Sequence, residues 1–166
     1  NAMNAIHQTA LTFTSQNYGG KQFKRIRKVI GLNILLVTLV GGIMGSFVIL
    51  FGKELLGIYT PDLEAVNYGL IRMHIIFSTY FLCGIMDVLV GCLRGLGRSI
   101  LPMIVSLLGA CGLRVLWIFT IFKAYPTLES SYISYPISWI LTGSVHFICL
   151  ICIMRKLLKK DKETQE

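Results

Sequence analysis

The sequence predicts an all-α integral membrane protein with four transmembrane helices. Three observations carry that prediction. The runs Val29 to Phe51, Val66 to Leu93, Ile100 to Phe122 and Tyr132 to Met154 each exceed the roughly 20 residues a helix needs to cross a hydrocarbon layer of about 30 Å. Hydrophobic residues make up 54% of the 166, and mean hydropathy is +0.68, which leaves too little polar surface to wrap a soluble domain. The charged residues fall almost wholly between the runs.

Taken in order, residues 1-2, Asn1 and Ala2 ahead of Met3, read as the remnant of a cleaved purification tag. Residues 3-28 read as the last turns of a truncated helix, too short to span and suited to an interface or a neighbouring surface, followed by a basic cytoplasmic loop. The transmembrane domain is 29-154, with spans at about 29-52, 61-95, 100-123 and 132-154. The second span opens at Thr60-Pro61-Asp62, read as a Thr cap, a proline at the first helical position and acids in the first turn. Arg94-Gly95-Leu96-Gly97-Arg98-Ser99 breaks the chain with two glycines, and Ser99 caps the third span, with Pro102 in its first turn. Residues 155-166 form a basic cytoplasmic tail whose end is expected to be disordered.

Basic residues cluster on one side of this arrangement. Lys21, Lys24, Arg25, Arg27 and Lys28 precede the first run, Arg94 and Arg98 lie between the second and third, and Arg155, Lys156, Lys159, Lys160 and Lys162 follow the fourth. The other two loops hold only Lys53 and Lys123, opposed by Glu54, Asp62, Glu64 and Glu129. The positive-inside rule therefore places both termini and the Arg94 to Arg98 loop in the cytoplasm, with the chain multi-pass in the inner (plasma) membrane. The net charge of +8 sits at helix ends and is not interleaved with exposed aromatics, which excludes a nucleic-acid groove. The sequence holds no nucleotide loop, hydrolytic triad, metal cluster or cofactor motif, so the protein reads as a non-enzyme.

Ionisable residues inside the spans are the functional candidates, because each costs at least roughly 2.5 kcal/mol at a span centre unless paired. Asp87 is the only acid within a span, about 10 Å above its cytoplasmic end, and Tyr80, Gly84, Gly91 and Arg94 share its helical face. Ser134, Ser138, Thr142 and His146 form a stripe at every fourth residue of the last span, with His146 about 12 Å from the cytoplasmic end. A carboxylate and an imidazole at matching depth can form a proton-accepting pair. The alternatives are that Asp87 caps Arg94 or serves packing and that His146 bonds a neighbouring Thr. Arg114, about 20 Å up the third span, is either a structural arginine satisfied by carbonyls or by snorkelling, or a substrate contact. Arg72 and His74 read as interfacial.

Packing signals complete the reading. Gly41, Gly42 and Gly45, with Gly109, Ala110 and Gly112, offer small surfaces for close helix approach. Trp117, Tyr125, Tyr132, Tyr135 and Trp139 are expected to form an outer aromatic belt. Cys149 and Cys152 read as packed or lipid-facing thiols.

Ser15-Gln16-Asn17-Tyr18-Gly19 with Lys24-Arg25-Ile26, then Leu93-Arg94-Gly95-Leu96-Gly97-Arg98-Ser99 with Pro102-Met103, then Gly112-Leu113-Arg114, resemble the C-terminal third of multidrug and toxic compound extrusion (MATE) transporters. The resemblance covers essentially all of the chain after Met3. It implies twelve spans in two lobes, of which this chain supplies the end of the eighth and the ninth to twelfth, an incomplete C-terminal lobe. It assigns Gln16, Asn17, Gly19, Arg94, Gly95, Gly97 and Pro102 to structural family motifs. It implies export of cationic or amphipathic small molecules by proton or sodium coupling without a further cofactor, and an acid on Asp87's span often belongs to the family's cation site. Ion-coupling or transport candidates are then Asp87, His146, Thr142, Ser138 and Arg114. A fragment without the N-terminal lobe is expected not to transport alone, since a site between two repeats needs both. Partners are the bilayer, the substrate, and the missing lobe or a homo-oligomer. The alternative is a free-standing four-helix protein that homo-oligomerises as a small exporter, channel or scaffold.

Overall fold

The computed structural model describes residues 1–165, with side chains described for 1–160, and every regular element among them is helical. The helices are α1 (Ala2–Gly19), α2 (Phe23–Leu50), α3 (Gly52–Tyr59), α4 (Leu63–Ser78), α5 (Tyr80–Gly95), α6 (Ile100–Ser106), α7 (Leu113–Trp117) and α8 (Leu128–Gln165). Wide-turn π-helical segments at Leu107–Gly112 and Ile118–Phe122 flank α7 and make one continuous helix of Ile100–Phe122. Three helices are long and apolar enough to cross a membrane, or four if α4 and α5, bent by 45° at their junction, count as one.

That bend corrects the expectation of an unbroken helix over 61-95. No proline causes it. Ser78 and Thr79 turn their hydroxyls back onto the carbonyl of Ile75, at 3.2 and 3.0 Å, and Thr79 also reaches Ile76. Side-chain hydroxyls competing with the main-chain ladder loosen a helix at such a point. The cap of α4 is also displaced from Thr60: Asp62 accepts from the Glu64 N–H at 2.9 Å, while Thr60 Oγ1 accepts from the Asp62 N–H at 3.2 Å, and Pro61 lies ahead of the helix. Ser99 occupies the position before α6 but makes no side-chain cap bond.

Two similar turns end α1 and α5. After α5, the Arg98 N–H bonds the Leu93 carbonyl at 3.1 Å and the Gly97 N–H bonds Arg94 at 2.9 Å, with Gly97 at φ +76°, a left-handed cap that glycine adopts without steric cost. After α1, the Gln22 N–H bonds Asn17 at 2.8 Å and the Lys21 N–H bonds Tyr18 at 3.1 Å, and the left-handed residue is Lys21 at φ 52°. The basic stretch Lys24 to Lys28 lies inside α2, not in a loop. The basic residues after Met154 likewise continue α8 as far as Gln165 rather than forming a separate tail, and Glu166 lies outside the described residues.

The core sits where α1, α2, α5 and α8 meet, around Ile26, Val37, Val88, Leu89, Leu93 and Leu150. The short α1 lies along the bundle and presents Met3, Ile6, Ala10 and Thr14 to it. Opposite stand Gly84, Gly91 and Gly95 of α5, where an added Cβ would lie 2.8 Å from Met3 Sδ, the His7 carbonyl and the Leu11 carbonyl respectively. Backbones approach this closely only where side chains are absent. Gly41 and Gly45 of α2 admit Phe81 and Phe77 in the same way, and Gly109 admits Thr142. Gly42 faces open space and Gly112 meets only its own helix, so the small-residue faces are narrower than their clusters in sequence.

Candidate functional site

Asp87 lies on α5, partly buried, one turn from the glycine contacts with α1. Its main-chain carbonyl receives a hydrogen bond from His7 Nδ1 at 2.7 Å. Its carboxylate forms no hydrogen bond or ion pair among the described residues, and its basic neighbours are His7 and Arg94. Arg94 is therefore near but not capped by it. His7, read from sequence as part of an uncommitted stub, is the polar neighbour that sequence reasoning missed. The available signal was its place four residues after Met3 and three before Ala10, within the periodicity of a buried face.

The stripe on α8 is buried throughout: Ser134, Ser138, Thr142 and His146 all face the bundle interior. His146 does not reach Asp87. Its Nε2 lies 3.1 Å from the Ser106 hydroxyl of α6, and its Nδ1 has no partner. The Thr142 hydroxyl one turn away is also buried without a partner, against Gly109 on the first π-helical segment. Two unsatisfied polar atoms thus share one buried face, beside a π-helical turn of the kind that often marks functional sites.

Arg114, between the two π segments, donates from Nε to the Ser138 hydroxyl at 3.2 Å and lies 4.1 Å over the Tyr135 ring. Its partners are thus a hydroxyl and an aromatic face of α8, rather than carbonyls or a path outward. Tyr135 meets Trp139 edge-on with centroids 6.0 Å apart, and Trp139 meets Tyr80 at 6.1 Å. Trp139, read as part of an outer aromatic belt, is buried, with the Tyr80 ring on α5 as an interior neighbour. Trp117 bonds the Ser130 carbonyl at 2.9 Å, and Arg72 lies 5.9 Å from the Tyr132 ring. His74 bonds within its own helix, to Leu70.

The motif residues have conformational roles. Gln16 and Asn17 supply the carbonyls that close the turn after α1, and the Asn17 amide returns to Phe13 at 2.7 Å. Gly19 is unobstructed at the end of that helix, Arg94 and Gly97 build the turn after α5, Gly95 lets α1 approach, and Pro102 is buried in the first turn of α6. Among the described residues no group of His, Cys, Asp and Glu is placed to hold a metal, and all five cysteines are free.

The sequence profile of the MatE family matches residues 2–120, from α1 into the second π segment. The chain belongs to the MatE family. Among its relatives is the probable multidrug resistance protein YoeA of Bacillus subtilis (strain 168), 24% identical over 126 residues. That alignment covers 75% of this chain and 27% of YoeA, so the chain spans little more than a quarter of this MatE relative's length. The α8 stripe lies beyond the residues that the family profile matches.

Proposed function

We propose that this chain supplies the last four spans of a cation-coupled multidrug exporter of the MATE type. The single observation that carries the reading is the family match over residues 2–120, made on a chain whose helices are apolar and long enough to span. The relative YoeA, a probable multidrug resistance protein, supports drug export; cationic or amphipathic substrates are part of the proposal. In this reading α4 and α5 form one bent span, and the basic clusters hold both termini and the Arg94 to Arg98 turn in the cytoplasm of a cell with its plasma (inner) membrane around it. The remaining spans, those of the other lobe together with the rest of this one, complete the cavity, so the chain does not transport alone.

Asp87 is the coupling group in this proposal. It is the only carboxylate deep in a span, and its side chain is unpaired among the described residues, leaving it open to a proton or sodium ion. Ser138, Thr142, His146 and Arg114 line the interior of the same bundle. The decisive experiment is Asp87→Asn in the full-length transporter, reconstituted and assayed for gradient-driven export of a cationic dye. Loss of export at unchanged expression is the expected result. Export equal to the parent at every pH removes Asp87 from coupling, and robust export by this chain alone in liposomes would instead establish the homo-oligomer.

A further inference from the structure

At the end of the molecule where the basic residues gather, α2 and α8 leave a groove of about 400 Å³ between them. Its wall is apolar, formed by Ile30, Phe147, Leu150 and Ile151, and its rim carries Arg27 and Arg155. Eight residues separate Phe147 from Arg155, so along α8 the groove runs about 12 Å from its apolar wall to that arginine, with Leu158 about one turn beyond. Among the described residues no carboxylate lines it. Both arginines are exposed, and neither guanidinium has a hydrogen bond or ion pair among the described residues.

We propose that this groove is a binding site for an anionic phospholipid, its acyl chains against Ile30, Phe147, Leu150 and Ile151 and its phosphate between Arg27 and Arg155. Two features select that occupant. A guanidinium offers a planar fork of donors that matches phosphate oxygens, and two lining one groove from different helices suit one phosphate better than two separate carboxylates. The apolar wall continues directly from the cationic rim, the order of chemistry in a phospholipid and the arrangement of basic sites between membrane helices that hold anionic headgroups. The inference rests on the placement of the chain in a bilayer proposed above, but not on the coupling role of Asp87 or on transport.

The test is native mass spectrometry of the protein purified in neutral detergent and offered phosphatidylglycerol or phosphatidylcholine with the same acyl chains. Phosphatidylglycerol is expected to be retained in preference, and the double variant Arg27→Gln with Arg155→Gln to lose that preference, with affinity falling on the order of tenfold. Lys21→Gln with Lys24→Gln removes the same charge from the same end outside the groove and should leave the preference intact. Free glycerol phosphate should not compete; full competition would make this a phosphate site without a lipid role and overturn the proposal. Equal retention of the two lipids, or an unchanged preference in the arginine variant, overturns it too, as a protein surface covering the groove would produce. Retention of neither lipid overturns the site as well, while the bilayer placement is read separately from single-cysteine labelling.

Discussion

His7 Nδ1 donates to the main-chain carbonyl of Asp87 at 2.7 Å, across eighty residues of sequence. The bond ties α1 to α5 at the level of the one deep carboxylate, so the helix that carries Asp87 is held by a side chain as well as by glycine contacts. Removing it with His7→Leu keeps most of the packing. Stability should fall by about 0.6 kcal/mol, the mean for interhelical hydrogen bonds in membrane proteins, and no more than about 1.7. Reversible unfolding in detergent measures this, and an unchanged midpoint would mean the bond contributes nothing.

The glycine contacts themselves should be larger. A Cβ at Gly91 would stand 2.8 Å from the His7 carbonyl, a main-chain atom that cannot swing aside, whereas a Cβ at Gly42 meets nothing within 4 Å. Gly91→Ala is therefore expected to cost about 1–3 kcal/mol as an overpacked site, and Gly42→Ala to be neutral or slightly stabilising because alanine favours helix. Equal effects in the two variants would show that α1 does not pack as described.

Much of the membrane architecture was legible because a helix that must cross lipid declares itself by length and hydropathy, and because Gly97 and Pro102 have few conformational uses. The polar stripe of α8 was legible for a similar reason: four-residue spacing leaves one face. What stayed hidden depended on partners. Nothing local distinguishes Gly42 from Gly41, or says that Trp139 turns inward to Tyr80, or that His146 takes Ser106 instead of Asp87, since those are settled by which helix lies opposite. The bend at Thr79 was hidden because Ser and Thr break a helix only when their hydroxyls choose its carbonyls over other partners.

Lys21 stands left-handed at φ 52° in the turn where α5's counterpart uses Gly97. A non-glycine residue there carries roughly 1–2 kcal/mol of steric cost. Lys21→Gly should raise stability by about 1 kcal/mol after the greater freedom of glycine in the unfolded chain is subtracted, read as a higher midpoint in thermal unfolding. A decrease would imply that the Lys21 side chain has a stabilising role.

The 3.1 Å contact between Ser106 and His146 joins the third span to α8 in a region with few other polar links. In a double-mutant cycle of Ser106→Ala and His146→Leu, a coupling of about 0.6–1.7 kcal/mol is expected. Additive effects would leave His146 a packed imidazole whose orientation owes nothing to Ser106.

The proposed orientation rests on charge alone and can be checked with single cysteines in a background lacking the native five. Probes replacing Lys24, Arg98 and Lys159 should label from the cytoplasmic face, and probes at Glu54 and Tyr125 from the opposite face. Lys24 and Lys159 labelling from different faces would contradict an even number of crossings.

Burial is distributed unevenly across the bend between α4 and α5. Nine residues of α5 are buried, from Gly84 to Gly95, against Val66 alone in α4. A bend made of hydroxyl bonds thus separates a helix locked on α1, α2 and α8 from one that touches α2, α3 and α8 but buries far less against them. Opening free energy follows such burial. Deuterium would enter the amides of α4 through small local fluctuations and those of α5 only when the bundle comes apart, and a load applied at the outer half would be absorbed at Thr79 before it reached Asp87.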